Sequence, residues 1–85
     1  MQILRARSFE REFVKLPGEI RERFVQKLRF FLDDPFHPSL QSKKMQGRVA
    51  IWEVRISQGY RFTFEKDGAM VTLRHIGTHD ILNNP

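Results

Sequence analysis

Ile20, Phe24, Leu28, Phe31 and Leu32 recur at the spacing of a single helical face, and Glu19, Glu22, Arg23, Gln26 and Arg29 fall on the other. The pattern predicts a helix that starts after Pro17-Gly18. It should end near Asp34, because Pro35 disfavours the helical conformation in the residue before it. A shorter helix is expected ahead of it, with Phe9, Phe13 and Leu16 on one face. Ser8 is the expected cap, its hydroxyl accepting from an orphan N–H while Glu10 and Glu12 sit near the positive end of the helix dipole. The stretch before it, Gln2 to Arg7, reads as a first strand.

From Pro35 to Gly47, "PFHPSLQSKKMQG" has no periodicity and carries two prolines, so it reads as a loop. Beyond it the period becomes two. In "AIWEVRI" (50–56) Ala50, Trp52, Val54 and Ile56 share one face, and Glu53 and Arg55 the other. After a turn at "SQG", "YRFTFEK" sets Tyr60, Phe62 and Phe64 against Arg61, Thr63 and Glu65. Asp67-Gly68 signals a hairpin, and "MVTLRHI" (70–76) alternates Val71, Leu73 and His75 against Met70, Thr72 and Arg74. The predicted order is β-α-α-β-β-β, an α+β domain whose two N-terminal helices pack on one face of a small, mostly antiparallel four-stranded sheet. On the other face this leaves Glu53, Arg55, Arg61, Thr63, Thr72 and Arg74, with the three arginines exposed as a site for phosphate.

The 85 residues suffice for a single domain, one that buries about 60–65% of its unfolded-chain surface. The absence of cysteine removes disulfides and thiolate zinc sites. "MQILRARSFERE" lacks the apolar core of a signal peptide, and a cytoplasmic location is expected. His37, His75, His79 and Asp80 do not form the closed ligand set of a structural zinc centre, so neither metal nor cofactor is expected. Charge changes the picture more. Fifteen Lys and Arg against ten Asp and Glu give +5, and ten of the cations are arginine, whose fixed fork of donors suits phosphate. Nucleic acid is the first expectation, with acidic proteins and anionic lipid left open by charge alone.

Three sequence pieces in order add a resemblance. They are "KKMQG", then "IWEVRI" followed closely by "GYRFTF", then "IGTHD". Together they resemble the RelE/ParE superfamily of bacterial toxin–antitoxin toxins, and the ribosome-associated mRNA endonucleases within it more than the gyrase poisons. The resemblance spans nearly the whole chain and shares the β-α-α-β-β-β order. It implies a toxin that cleaves mRNA in the ribosomal A site and represses translation, with a cognate antitoxin, the ribosome and mRNA as partners, and no membrane or small-molecule substrate. In that chemistry the ribose 2′-hydroxyl attacks the adjacent phosphate. Arg61, in "GYR", matches the arginine that contacts the scissile phosphate, and Arg55 the arginine of the preceding strand, with a partly structural role. His79, in "GTHD", matches a residue assigned to acid or phosphate-stabilising work. Lys43 and Lys44 match basic residues that contact RNA or ribosome. With Arg48 and Arg74 they complete the expected RNA- and ribosome-binding set.

Two positions depart from the pattern. Relatives place lysines on the first hairpin strand where this chain has Ile51 and Glu53, and Glu53 is the candidate base. Relatives also follow a "GTHD"-like ending with an aromatic residue, usually tyrosine, where this chain reads "ILNNP". His75 alternates with Leu73 and reads as a core or structural histidine. Two other readings stay open: a gyrase-directed toxin that acts by binding, and a catalytically silent member that only binds nucleic acid or antitoxin.

Overall fold

The computed structural model describes residues 1–47 and 50–85. Its elements are β1 (Gln2–Arg5), α1 (Arg7–Phe13), α2 (Gly18–Asp33), β2 (Lys43–Lys44), β3 (Ile51–Arg55), β4 (Arg61–Asp67) and β5 (Met70–Gly77). Two short 3-10 turns, Pro38–Leu40 and His79–Asn83, complete it. The sheet order is β1-β5-β4-β3-β2, with β1 parallel to β5 and the remaining pairs antiparallel. The α+β class and the order of the main elements are as expected. The sheet has five strands rather than four, because Lys43 and Lys44 of the expected loop pair with Glu53 and Trp52.

The helices cover one face through aromatic edge contacts. Phe24 meets Phe62 at a centroid distance of 5.2 Å, and Phe31 meets Phe62 at 5.6 Å and Phe64 at 4.9 Å. Such T-shaped pairs set the electropositive ring edge against the electronegative face. Ile20, Phe24 and Phe31 of α2 are buried, yet Leu32 is 55% exposed. The helical repeat explains the difference. At about 100° per residue, Leu32 lies about 120° round from Ile20, outside the arc that holds Phe24 and Phe31.

Helix α1 begins at Arg7, so its N-cap is the extended Ala6, two residues before the expected Ser8, and it makes no side-chain cap bond. Ser8 instead donates its hydroxyl to the carbonyl of Arg74 at 2.6 Å. Glu12 makes a second link to β5: its carboxylate lies 3.1 Å from His75 Nδ1 and accepts the Ile76 N–H at 3.2 Å. These bonds sit on an irregularity that the strict alternation did not foresee. Phe62 pairs with Ile76 and Phe64 with Leu73, so Arg74 and His75 together oppose the single residue Thr63. The bulge puts Ile76, not His75, in the core beside Leu73, and His75 becomes the structural partner of Glu12. Glu12→Ala should lower stability by about 1–2 kcal/mol, since both groups still touch water. In calorimetry that is a fall in Tm of roughly 5–15 °C; an unchanged Tm would mean that the bulge holds without α1.

At the hairpin between β4 and β5, Asp67 pairs with Met70, so the loop is Gly68-Ala69. Gly68 has φ +59°. That left-handed value at the first loop position is what glycine supplies at no steric cost.

Beyond β5 the chain turns back over the sheet. The buried Pro85 places its main-chain oxygen where Thr63 Oγ1 donates at 3.1 Å and Arg74 Nε at 2.9 Å. The face expected to be open is therefore partly covered by the chain's own C-terminal stretch. Among the described residues, no helix is long and apolar enough to cross a membrane.

Candidate functional site

Side chains on the face away from the helices line up in rows across the strands. One row runs Lys43, Glu53, Thr63, and the next runs Arg55, Arg61, Gly77. Residues directly opposite on neighbouring strands share a face. Their positions follow from the alternation that buries Val54, Phe62 and Phe64 under the helices. At one end of these rows is a cleft of about 380 Å³ lined by Gln41, Lys43, Glu53, Arg55, Arg61, His79 and Leu82. Three separate parts of the chain meet there: the β2 edge, the β3–β4 pair and the His79–Asn83 turn.

Arg61 is the buried member, 8% exposed. Its Nη1 donates to Glu53 Oε2 at 3.3 Å, and its Nε is buried with no hydrogen-bond partner among the described residues. A buried donor left unpaired is unfavourable by about 1–3 kcal/mol. Here the unpaired group belongs to a cation lining a cleft. Arg55, exposed at the rim, sits directly opposite Arg61 in the strand pair. Like charges so placed repel, and the Glu53 carboxylate offsets only one of them. An anion in the cleft would relieve the repulsion.

His79 enters from the third side. It is exposed at the start of its 3-10 turn, after Thr78 in extended conformation. The turn packs close to the end of β5: a Cβ added at Gly77 would come within 3.1 Å of Ile81 Cγ2. Glycine opposite Arg61 thus lets the turn approach the sheet and bring His79 to the cleft.

No protein-family model matches the sequence, and no curated protein does. Solved structures do match. A chain of the RelB–RelE antitoxin–toxin complex from Methanococcus jannaschii superposes with a TM-score of 0.80 at 21% identity, over 95% of each chain. The YoeB/ParE toxin from Agrobacterium tumefaciens gives 0.80 at 16% identity, over 93% of this chain and 99% of that one. A chain of the intact Escherichia coli RelBE toxin–antitoxin complex gives 0.74 at 21%, over 91% and 94%.

The fold is that of the RelE/ParE toxins.

Within this RelE/ParE fold, five of the eight expected site residues gather in one cleft: Lys43, Glu53, Arg55, Arg61 and His79. Of the three arginines expected to be exposed, only Arg55 is; Arg61 is buried and Arg74 half-buried. Arg61 shares the face of Glu53 and Arg55, away from the helices, and still lines the cleft. Arg74 lies outside the cleft lining, its guanidinium bonded to Pro85 O and, at 2.7 Å, to Glu65 Oε1. Lys44 pairs opposite Trp52, on the helix-side face of the β2 edge, away from Lys43. Arg48 lies outside the described residues.

Gln41 and Leu82 line the cleft and were not anticipated. Gln41 follows the Pro38–Leu40 turn with φ +50°, a local conformation that a proline-rich loop does not reveal in its sequence. Leu82 belongs to the "ILNNP" stretch, so the wall where the resemblance implies an aromatic ring is aliphatic here. Among the described residues no three His, Cys, Asp or Glu side chains converge as metal ligands would.

Proposed function

We propose that this protein is the toxin of a toxin–antitoxin pair, a ribosome-dependent endoribonuclease that cuts mRNA and represses translation in the cytoplasm. The observation that carries the reading is the buried Arg61, with its unpaired Nε, in a cleft bordered by a carboxylate and an imidazole. RNA cleavage by internal transfer needs those three groups. A base takes the proton of the 2′-hydroxyl as the 2′-oxygen bonds to phosphorus. A fixed cation stabilises the extra charge on the phosphorane. An acid protonates the 5′-oxygen as its bond to phosphorus breaks, leaving a 2′,3′-cyclic phosphate and a 5′-hydroxyl.

Glu53 takes the first role. Its ion pair with Arg61 uses Oε2 and leaves Oε1 outside the pair. Arg61 takes the second, through the guanidinium donors that Glu53 leaves unpaired while orienting the group by Nη1. His79 takes the third, its imidazole lining the cleft as the proton donor. Arg55 and Lys43 supply charge along the approach. The fold likeness to chains crystallised with RelB antitoxins supports an antitoxin as partner, and a net charge of +5 favours fast association with an acidic one.

The test is a cell-free translation reaction with labelled mRNA, run with and without ribosomes. Cuts that appear only on ribosomes and end in a cyclic phosphate are the expected result. RNA binding without cuts would select the silent member, in which the Glu53–Arg61 pair stays closed over the cleft. The two lysines of β2 should separate in the same system. Lys43→Ala should weaken RNA binding and leave single-turnover cleavage of bound RNA intact. Lys44→Ala should have a smaller effect on binding, because it projects from the opposite face; equal effects would show that RNA wraps the strand edge.

A further inference from the structure

We infer that Arg74 is a positioning residue for His79 and not a contact to RNA. The inference rests on the endonuclease reading for what His79 does, but not for where Arg74 holds it. Arg74 spends two of its five donors inside the protein: Nε to Pro85 O at 2.9 Å and Nη1 to Glu65 Oε1 at 2.7 Å. Thr63, fully buried on β4, donates to the same Pro85 oxygen at 3.1 Å. Two neighbouring strands thus clamp one main-chain oxygen two residues past the His79–Asn83 turn. At its other end the turn leaves β5 at Gly77, with Ile81 packed against that glycine. Tied at both ends, the turn has little freedom, and His79 and Leu82 stay on the wall of the cleft.

The bulge explains why Arg74 is available for this. Two residues opposite Thr63 place Arg74 beside it on the tail-covered face, while Leu73 and Ile76 keep their places in the core. The residue type is also explained. A guanidinium presents Nε and Nη1 in a fixed plane and so can join a main-chain oxygen and a carboxylate at once. An ammonium can keep the charge but not that geometry. Two of its five N–H donors are held by Pro85 and Glu65, and a bidentate grip on a phosphate through Nε would have to release Pro85.

The test uses the full chain and two independent readouts. By NMR, Arg74→Ala and Thr63→Val should both move the His79 ring resonances and the amides of residues 79–83, while Arg74→Lys moves them less. In single-turnover cleavage of ribosome-bound mRNA, Arg74→Ala should lose about 10²-fold, the scale on which a small misplacement of a reacting group acts. Its affinity for the ribosome–mRNA complex and the salt dependence of that affinity should not change, and Arg74→Lys should recover part of the rate. Unmoved His79 resonances in Arg74→Ala overturn the inference. So does a loss that lies in binding and comes with a shallower salt slope, the mark of a lost phosphate contact. If the parent chain cuts no RNA, the endonuclease reading fails and the resonances still decide the clamp.

Discussion

Arg61→Ala is expected to lower single-turnover cleavage of ribosome-bound mRNA by about 10²–10³-fold, the usual consequence of removing one preorganised donor from a developing negative charge. The same change strands Glu53, which is 16% exposed and has Arg61 as its ion-pair partner. Stability should therefore fall as well, by about 1–3 kcal/mol for a poorly solvated group left unpaired. The two effects separate in Arg61→Lys, which keeps a cation beside Glu53 but has no Nε. That variant should recover most of the stability in urea denaturation and little of the rate. Wild-type cleavage by a folded Arg61→Ala protein would remove the centre of the proposed mechanism.

Charge pairing inside the cleft also bears on what the free protein does. With Glu53 holding Arg61 at 3.3 Å and Arg55 opposite, the resting cleft balances a carboxylate against two guanidiniums. RNA phosphate would compete with Glu53 for Arg61 and loosen that pair.

Where the sequence was legible, a periodicity dominated. The alternation through β3 and β4 put Glu53, Arg55 and Arg61 on one face because Val54, Phe62 and Phe64 require the other. The α2 stripe was legible for the same reason, and Leu32 was misplaced only because a hydrophobic residue one step beyond Phe31 belongs to another arc of the helix. The bulge was invisible to the same reasoning. Strict alternation buries His75, and only the bonds of Glu12 to His75 and Ile76 show why the strand slips by a residue there. The C-terminal cover was hidden for a different reason. "ILNNP" has no period, and its hold on the sheet runs through a main-chain oxygen, which side-chain identities do not encode. That is why Arg74 reads as a free cation in the sequence and is a tied one in the fold. The resemblance implies contacts to RNA or ribosome for both Lys43 and Lys44. Their separation to opposite faces follows once the pair becomes a strand.

His79→Gln is expected to lower cleavage by about 10²-fold or more, within the usual range for a lost general acid. Glutamine can keep a hydrogen bond to phosphate but cannot deliver a proton near neutral pH. Because His79 is exposed at the start of a 3-10 turn, stability should stay within about 0.5 kcal/mol of the parent, as for most surface substitutions. The chemistry offers a sharper separation than rate alone. An mRNA whose scissile 5′-oxygen is replaced by sulfur leaves as a thiolate, which needs no proton. On that substrate His79→Gln should cleave nearly as fast as the parent, while Arg61→Ala should remain slow because the phosphorane charge is still uncompensated. Rescue of both variants would mean that His79 and Arg61 serve the leaving group together. Rescue of neither would move His79 from proton donor to phosphate contact, with Lys43, Arg55 and Arg61 as the other cations of the cleft.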